Sequence, residues 1–225
     1  MREPFVVLDI ETAPDEAAVR RKLAAPPEFT APANYKDPAK IEAYRIEKAQ
    51  SWEVETREKA GLSPTTGRVV AWCAGFTAEA EVAGAGDDER ELLRGVGVAL
   101  AGTGTLVTFN GELFDVPFLR ARMLRYGLEI PRVLTPSQRY GPHAHHVDLR
   151  SWLTGWSQYA SGTLEDWCYT IVPDYVGHKG GMSGKDVAGY VAAGRWDEIR
   201  DYCASDVRAT LALLQAVLPL LHAAA

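Results

Sequence analysis

The chain opens on alternating character. Around Val6–Thr12, Leu8 and Ile10 are apolar while Asp9 and Glu11 carry charge. A period of two predicts a β-strand, because side chains at i and i+2 leave from the same face. Leu8 and Ile10 are then expected to point into a core, with Asp9 and Glu11 projecting together from the other face. The prolines at 14, 26, 27, 32 and 38 mark irregular chain. Asp37-Pro38 is a helix start, an N-cap acceptor followed by proline at the first helical position. A highly charged helix is expected from there to Ala60, with Glu53/Arg57 and Glu55/Lys59 at the favourable i, i+4 spacing. Its apolar stripe, Ile41, Tyr44 and Trp52, is thin. The region about 26–62 therefore reads as an insertion, an arm packed on one side or a lid over substrate.

Beyond it the pattern predicts strands over 68–76 and 80–83, and a helix over 87–101 with Leu92, Leu93, Val96 and Leu100 on one face. A short strand over 105–109 is broken by Asn110-Gly111. A helix over 116–126 follows, with Arg120, Arg122 and Arg125 expected to be exposed. A strand over 146–149, a short helix over 163–169, a glycine-rich stretch over 176–184 and helices over 186–190 and 196–221 complete the chain. This order predicts an α/β fold with an open mixed β-sheet flanked by helices. With 225 residues, it suits one domain, 1–225, carrying the insertion.

Composition changes this picture little. The chain is 47% hydrophobic and 24% charged, as in ordinary globular proteins. The apolar runs are short and interrupted, so neither a signal peptide nor a membrane span is expected, and a cytoplasmic location follows. Cys73, Cys168 and Cys203 form no C-x-x-C pair, which argues against a disulfide framework or a zinc knuckle. A net charge of −6 speaks against holding nucleic acid by bulk electrostatics alone. Between 116 and 150, however, six arginines face two acids, a basic middle suited to a phosphate-facing surface.

Candidate chemistry begins with Asp9 and Glu11. Two like charges side by side raise each other's pKa unless a cation lies between them. A divalent metal is one answer, and an edge strand with solvated acids is the other. A second acidic place lies at the strand-to-helix junction Phe109-Asn110-Gly111-Glu112-Leu113-Phe114-Asp115. Strand ends are where open α/β sheets bind ligands, although Asp115 or Glu112 could instead cap the next helix. Tyr202 and Asp206, four apart, share a face of the last helix, beside the apolar Ile199, Val207 and Leu211. Lys179 and Lys185 flank glycines, but the stretch fails the P-loop pattern, because Lys179 stands where its first glycine belongs and Asp186 follows Lys185. They suit phosphate-backbone contacts better. His143, His145, His146 and Asp148 match no defensible metal spacing and read as a loop leading into a strand; whether Asp148 reaches a site stays open.

Taken in order, Asp9-Ile10-Glu11-Thr12, Asn110-x-x-x-Phe114-Asp115 and Tyr202-x-x-x-Asp206 resemble the three motifs of the DEDD superfamily of 3′→5′ exonucleases, in its tyrosine-bearing subgroup. The segment from Gly177-His178-Lys179 to Asp206-Val207 resembles a bacterial predicted exonuclease family related to the proofreading domain of family B DNA polymerases. The resemblance implies a ribonuclease H-like fold in a free-standing exonuclease domain. It also implies two divalent ions, Mg²⁺ or Mn²⁺, hydrolysing a phosphodiester at the 3′ end of single-stranded DNA. RNA or short oligonucleotides, or a catalytically inactive nucleic-acid-binding module, are the alternatives. By resemblance, Asp9 would bridge both ions, Glu11 and Asp206 would complete the water-activating site, and Asp115 would hold the second ion. Tyr202 would orient the water, since a phenol of pKa near 10 suits orientation better than proton abstraction. Thr12 and Asn110 would hold the terminal nucleotide, with Lys179 and Lys185 on the backbone. Phe114 would be a base-side wall or, preferably, core.

Overall fold

The computed structural model describes residues 4–77, 80–135, 145–157, 161–175 and 181–223. The chain forms two compact units, one of Met1–Thr12 with Val69–Ala225 and one of Ala13–Arg68.

The larger unit is built on five strands: β1 (Phe5–Pro14), β2 (Gly67–Thr77), β3 (Ala80–Ala85), β4 (Thr105–Thr108) and β5 (His146–Asp148). Their order across the sheet is β3-β2-β1-β4-β5. β2 and β3 are antiparallel, whereas β1–β4 and β4–β5 are parallel, so the sheet is mixed and open. β1 is therefore central, which excludes the edge-strand explanation for its two acids.

Its alternation is realised as expected. Leu8 and Ile10 are buried in a core shared with α3 (Glu89–Ala99) and α4 (Asp115–Arg125), through Leu93, Val96, Leu119 and Met123. The opposite face meets the long C-terminal helix α8 (Trp196–Ala223), which buries Ile199, Cys203, Val207 and Leu211. In the chain between α4 and α8 come α5 (Leu149–Leu153), α6 (Leu164–Ile171) and α7 (Val187–Ala192), all three in contact with α8. Helix α6 starts on a reciprocal capping box of Thr163 and Asp166.

Three expectations are corrected here. Arg122 is buried rather than exposed, because both its Nε and Nη2 donate to the buried carboxylate of Glu89. Asp148 ends β5 and caps α5, a helix the apolar pattern did not show because it is only five residues long. The absence of any membrane-length apolar segment also needs amendment: Trp196–Leu221 has that length and composition, but half of its most apolar window is buried in the unit, as in a core helix.

The smaller unit holds α1 (Glu16–Leu23) and α2 (Pro38–Glu58). Helix α1 lies in the stretch expected to be irregular; Asp15 caps it through the Ala18 N–H, a signal hidden by the surrounding prolines. Helix α2 starts where expected, with Asp37 accepting from Ala39 N. Both i, i+4 pairs form on its exposed surface. Phe29 meets Trp52 edge-on, and Tyr35 meets Tyr44 in the same way.

Candidate active site

The carboxylates of Asp9 and Glu11 leave β1 on one face, and α8 brings Asp206 to them. One ligand oxygen from each of the three lies within 4.8 Å of the others. Close packing of helix on sheet makes this possible. Gly75 of β2 lies beneath α8, and a Cβ there would stand 2.6 Å from Val207 Cγ1 and 2.8 Å from Leu211 Cδ1. One turn before Asp206, the Cys203 thiol donates to the main-chain oxygen of Asp9 at 3.4 Å and to its Oδ2 at 3.5 Å.

Asp115 arrives from the other side of β1. It is the first residue of α4, and Phe114 occupies the cap position without a side-chain bond, so Asp115 is not a helix cap. Its Oδ1 accepts from the main-chain N–H of Ile10 at 3.0 Å, between Asp9 and Glu11 in the chain. Among the described residues, Asp9, Glu11 and Asp206 form the one three-carboxylate group of metal-binding geometry, and Asp115 adjoins it.

The electrostatics follow from crowding four acids together, Glu11 and Asp115 buried and Asp9 and Asp206 half-buried. Burial, then the charges of Asp115, Glu11 and Asp206, hold the Asp9 carboxyl well above the usual carboxylate range, opposed by the Cys203 hydrogen bond. Asp115 is pushed up to about 7, chiefly by burial and further by Asp148 and Asp206, although its own N–H and that of Ile10 pull it down. Tyr202 is half-buried; burial and the charges of Asp206, Glu11 and Asp9 raise its phenol far above the ordinary value. Both effects favour the neutral hydroxyl. Cys203 is held as a thiol by burial and by the neighbouring acids.

A hard divalent cation fits this donor set. The ligands are all oxygen, and the repulsion that raises Asp9 is what a cation between the carboxylates would relieve.

The remaining sequence candidates fall as follows. Thr12 is half-buried directly after Glu11 on β1. Asn110 turns the chain with φ +67°, in the left-handed region that asparagine tolerates better than most residues. Its Oδ1 accepts from Arg150 Nη1 at 3.2 Å, which leaves the amide N–H₂ directed elsewhere. Phe114 packs against the main core, its ring 5.6 Å from that of Phe118, in keeping with the core reading. Lys185 is exposed beside Asp186 in the turn before α7. Lys179 and His143 lie outside the described residues. His146 is buried with Nε2 2.8 Å from Thr108 Oγ1, and Arg132 approaches His145 at 2.9 Å; neither histidine joins a metal cluster among the described residues.

Asp148, whose reach the sequence left open, lies beside the turn that follows β4. It is buried and accepts from Thr108, Asn110, Glu112 and Ser151, so that it braces the turn leading to Asp115. The local signal for its capping role is slight: an aspartate at the end of a predicted strand is an N-cap candidate.

Beside Tyr202, Met182, Tyr190, Glu198 and Arg208 line a cleft of about 310 Å³.

Residues 75–217 match the family model described as a predicted 3′-5′ exonuclease related to the exonuclease domain of PolB. The matched segment contains Asp115, Tyr202 and Asp206; Asp9 and Glu11 precede it and join the group through the fold. No curated protein matches the chain. Among solved structures, the chain resembles the family B DNA polymerase from the hyperthermophilic archaeon Pyrobaculum calidifontis, with a TM-score of 0.61 and 19% identity. The likeness covers 96% of this chain and 25% of the polymerase chain, so this chain corresponds to about a quarter of that protein. Identity at this level speaks to the fold, and the shared fold is ribonuclease H-like.

Proposed function

The chain belongs to the family of predicted 3′-5′ exonucleases related to the exonuclease domain of PolB, and on that premise we propose that it is a metal-dependent 3′→5′ exonuclease acting on single-stranded DNA. The observation that carries the reading is the convergence of Asp9, Glu11 and Asp206 from two distant segments, with Asp115 bonded to the strand between the first two.

Two divalent ions, Mg²⁺ or Mn²⁺, when bound, would supply water activation and leaving-group stabilisation for an in-line displacement at phosphorus. Asp9, Glu11, Asp115 and Asp206 would hold them. Tyr202, a phenol of ordinary pKa near 10, would donate or accept a hydrogen bond and so align the attacking water without taking its proton. Cys203 restrains the Asp9 carboxylate, limiting its rotamers. Thr12 and Asn110, at the ends of β1 and β4, would contact the terminal nucleotide, and Lys179 and Lys185 the phosphate backbone.

The test is release of mononucleotides from a 3′-labelled single-stranded DNA in Mn²⁺, with duplex DNA and RNA as parallel substrates and EDTA as control. Asp9→Ala should fold and lose the release entirely. Full activity in that variant, or no release by the wild type from any of the substrates, would sink the assignment.

A further inference from the structure

We propose that Asp148 is the positioning residue of this site: it sets the turn that delivers Asp115 to β1, an inference that rests on the exonuclease reading above. Parallel pairing of β4 with β5 places Asp148 directly beside Thr108. Its Oδ1 accepts from Asn110 N at 3.1 Å and from Ser151 N at 2.9 Å. Its Oδ2 accepts from Thr108 Oγ1 at 3.0 Å and from Glu112 N at 2.9 Å. Four donors fill the acceptor sites that an ionised carboxylate offers.

These donors are not interchangeable with ladder bonds. The turn over 110–112 leaves the sheet after Thr108, with Asn110 at positive φ. Gly111 sits so tightly over Thr108 that a Cβ would fall 2.6 Å from the threonine Cβ. The N–H groups of Asn110 and Glu112 lie half-buried in this turn, where an N–H needs an acceptor. Asp148 supplies both. Three residues after Glu112, α4 begins with Asp115, whose carboxylate reaches Ile10 N. Ser151 reinforces the arrangement by donating through Oγ to Glu112 at 3.1 Å.

Asparagine at 148 has nearly the same shape, but its amide nitrogen can only donate. With that nitrogen in place of Oδ2, Glu112 N loses its acceptor; in place of Oδ1, both Asn110 N and Ser151 N do. Either orientation leaves a main-chain N–H facing another donor, and the turn must shift. Because Asp148 stands outside the Asp9, Glu11 and Asp206 group, its removal acts through Asp115.

The experiment compares wild type, Asp148→Asn, Thr108→Val and Thr108→Ser as full chains. It measures Mn²⁺ affinity by calorimetry without nucleic acid, and kcat and KM on single-stranded DNA well below each melting temperature. Asp148→Asn is expected to weaken Mn²⁺ affinity or kcat by about 10- to 100-fold, with KM for the oligonucleotide little changed. Thr108→Val should move the same way by less, and Thr108→Ser, which keeps the hydroxyl, should restore wild-type values. A folded Asp148→Asn with Mn²⁺ affinity and kcat within about twofold of wild type would make Asp148 structural only and overturn the proposal. Should Asp148→Asn fail to fold, the threonine pair decides: equal values for valine and serine overturn it. A wild type that binds Mn²⁺ yet cleaves neither DNA nor RNA refutes the exonuclease reading, while the affinities still decide the role of Asp148. A wild type without Mn²⁺ binding overturns both.

Discussion

Gly75→Ala should loosen the seat of α8 and lower activity without touching any carboxylate. The added Cβ would lie 2.6 Å from Val207 Cγ1 and 2.8 Å from Leu211 Cδ1. Carbon atoms in contact rest at about 3.5–4.0 Å, so roughly 1 Å must be found. Leu211 can swing its methyl aside. Val207 cannot do so cheaply, since a β-branched side chain in a helix is held to one χ1 rotamer. The helix therefore moves, and Asp206, the residue before Val207, moves with it. Overpacking of this kind costs about 1–3 kcal/mol, which at this chain length lowers the melting temperature by about 2–4 °C per kcal/mol. A misplacement near 1 Å at a reacting centre can cost about 100-fold in rate. The assay is calorimetric melting together with nuclease rate and Mn²⁺ affinity at a temperature where the variant stays folded. Val207→Ala added to Gly75→Ala removes the obstructing methyl and should recover part of both losses, a coupling that a double-mutant cycle reads directly. Wild-type melting and activity in Gly75→Ala, or losses that Val207→Ala only deepens, would refute the argument.

Arg122→Met leaves Glu89 buried without its counter-ion and should cost about 3–5 kcal/mol in urea unfolding. Glu89 also accepts from Val69 N and from the Tyr126 hydroxyl, so the double variant Glu89→Gln, Arg122→Met should be milder than the sum of the singles; strict additivity would contradict the pairing. Tyr202→Phe should lower kcat while leaving Mn²⁺ affinity near wild type, and equal loss of both would make the tyrosine structural. Asp9 and Asp115 bind protons more tightly in the metal-free fold than when unfolded, so their contribution to stability is most favourable below about pH 4 and is lost as pH rises toward 7. Mn²⁺ should accordingly raise the melting temperature more at pH 8 than at pH 5, and the reverse order in differential scanning would count against the buried acidic site.

Much of the fold was legible because its signals are local. Alternation placed Leu8 and Ile10 in the core and Asp9 with Glu11 on the other face. Asp37-Pro38 marked the start of α2, and the apolar spacing of Leu92, Leu93 and Val96 marked α3. Where local signals were weak or crowded, the reading slipped. Helix α1 was obscured by prolines, α5 is too short to show periodicity, and Arg122 carried a charge that argued for exposure until Glu89, 33 residues away in sequence, was seen to pair with it.

The order of acids, Asp9 and Glu11 on a strand, Asp115 at a junction and Tyr202 with Asp206 on a helix, belongs to the sequence alone, since periodicity and spacing operate over a few residues. What the tertiary structure decided was proximity. Parallel pairing of β1 with β4 carries Asp115 to Ile10, 105 residues away in sequence. A missing side chain at Gly75 lets α8 settle close enough to bring Asp206 to Asp9. The register of β4 on β5 makes Asp148, a strand residue in the sequence pattern, the acceptor for an entire turn. Contacts of this range depend on strand order and helix packing, which arise from burial summed over the whole unit and leave no mark in any short stretch of the chain.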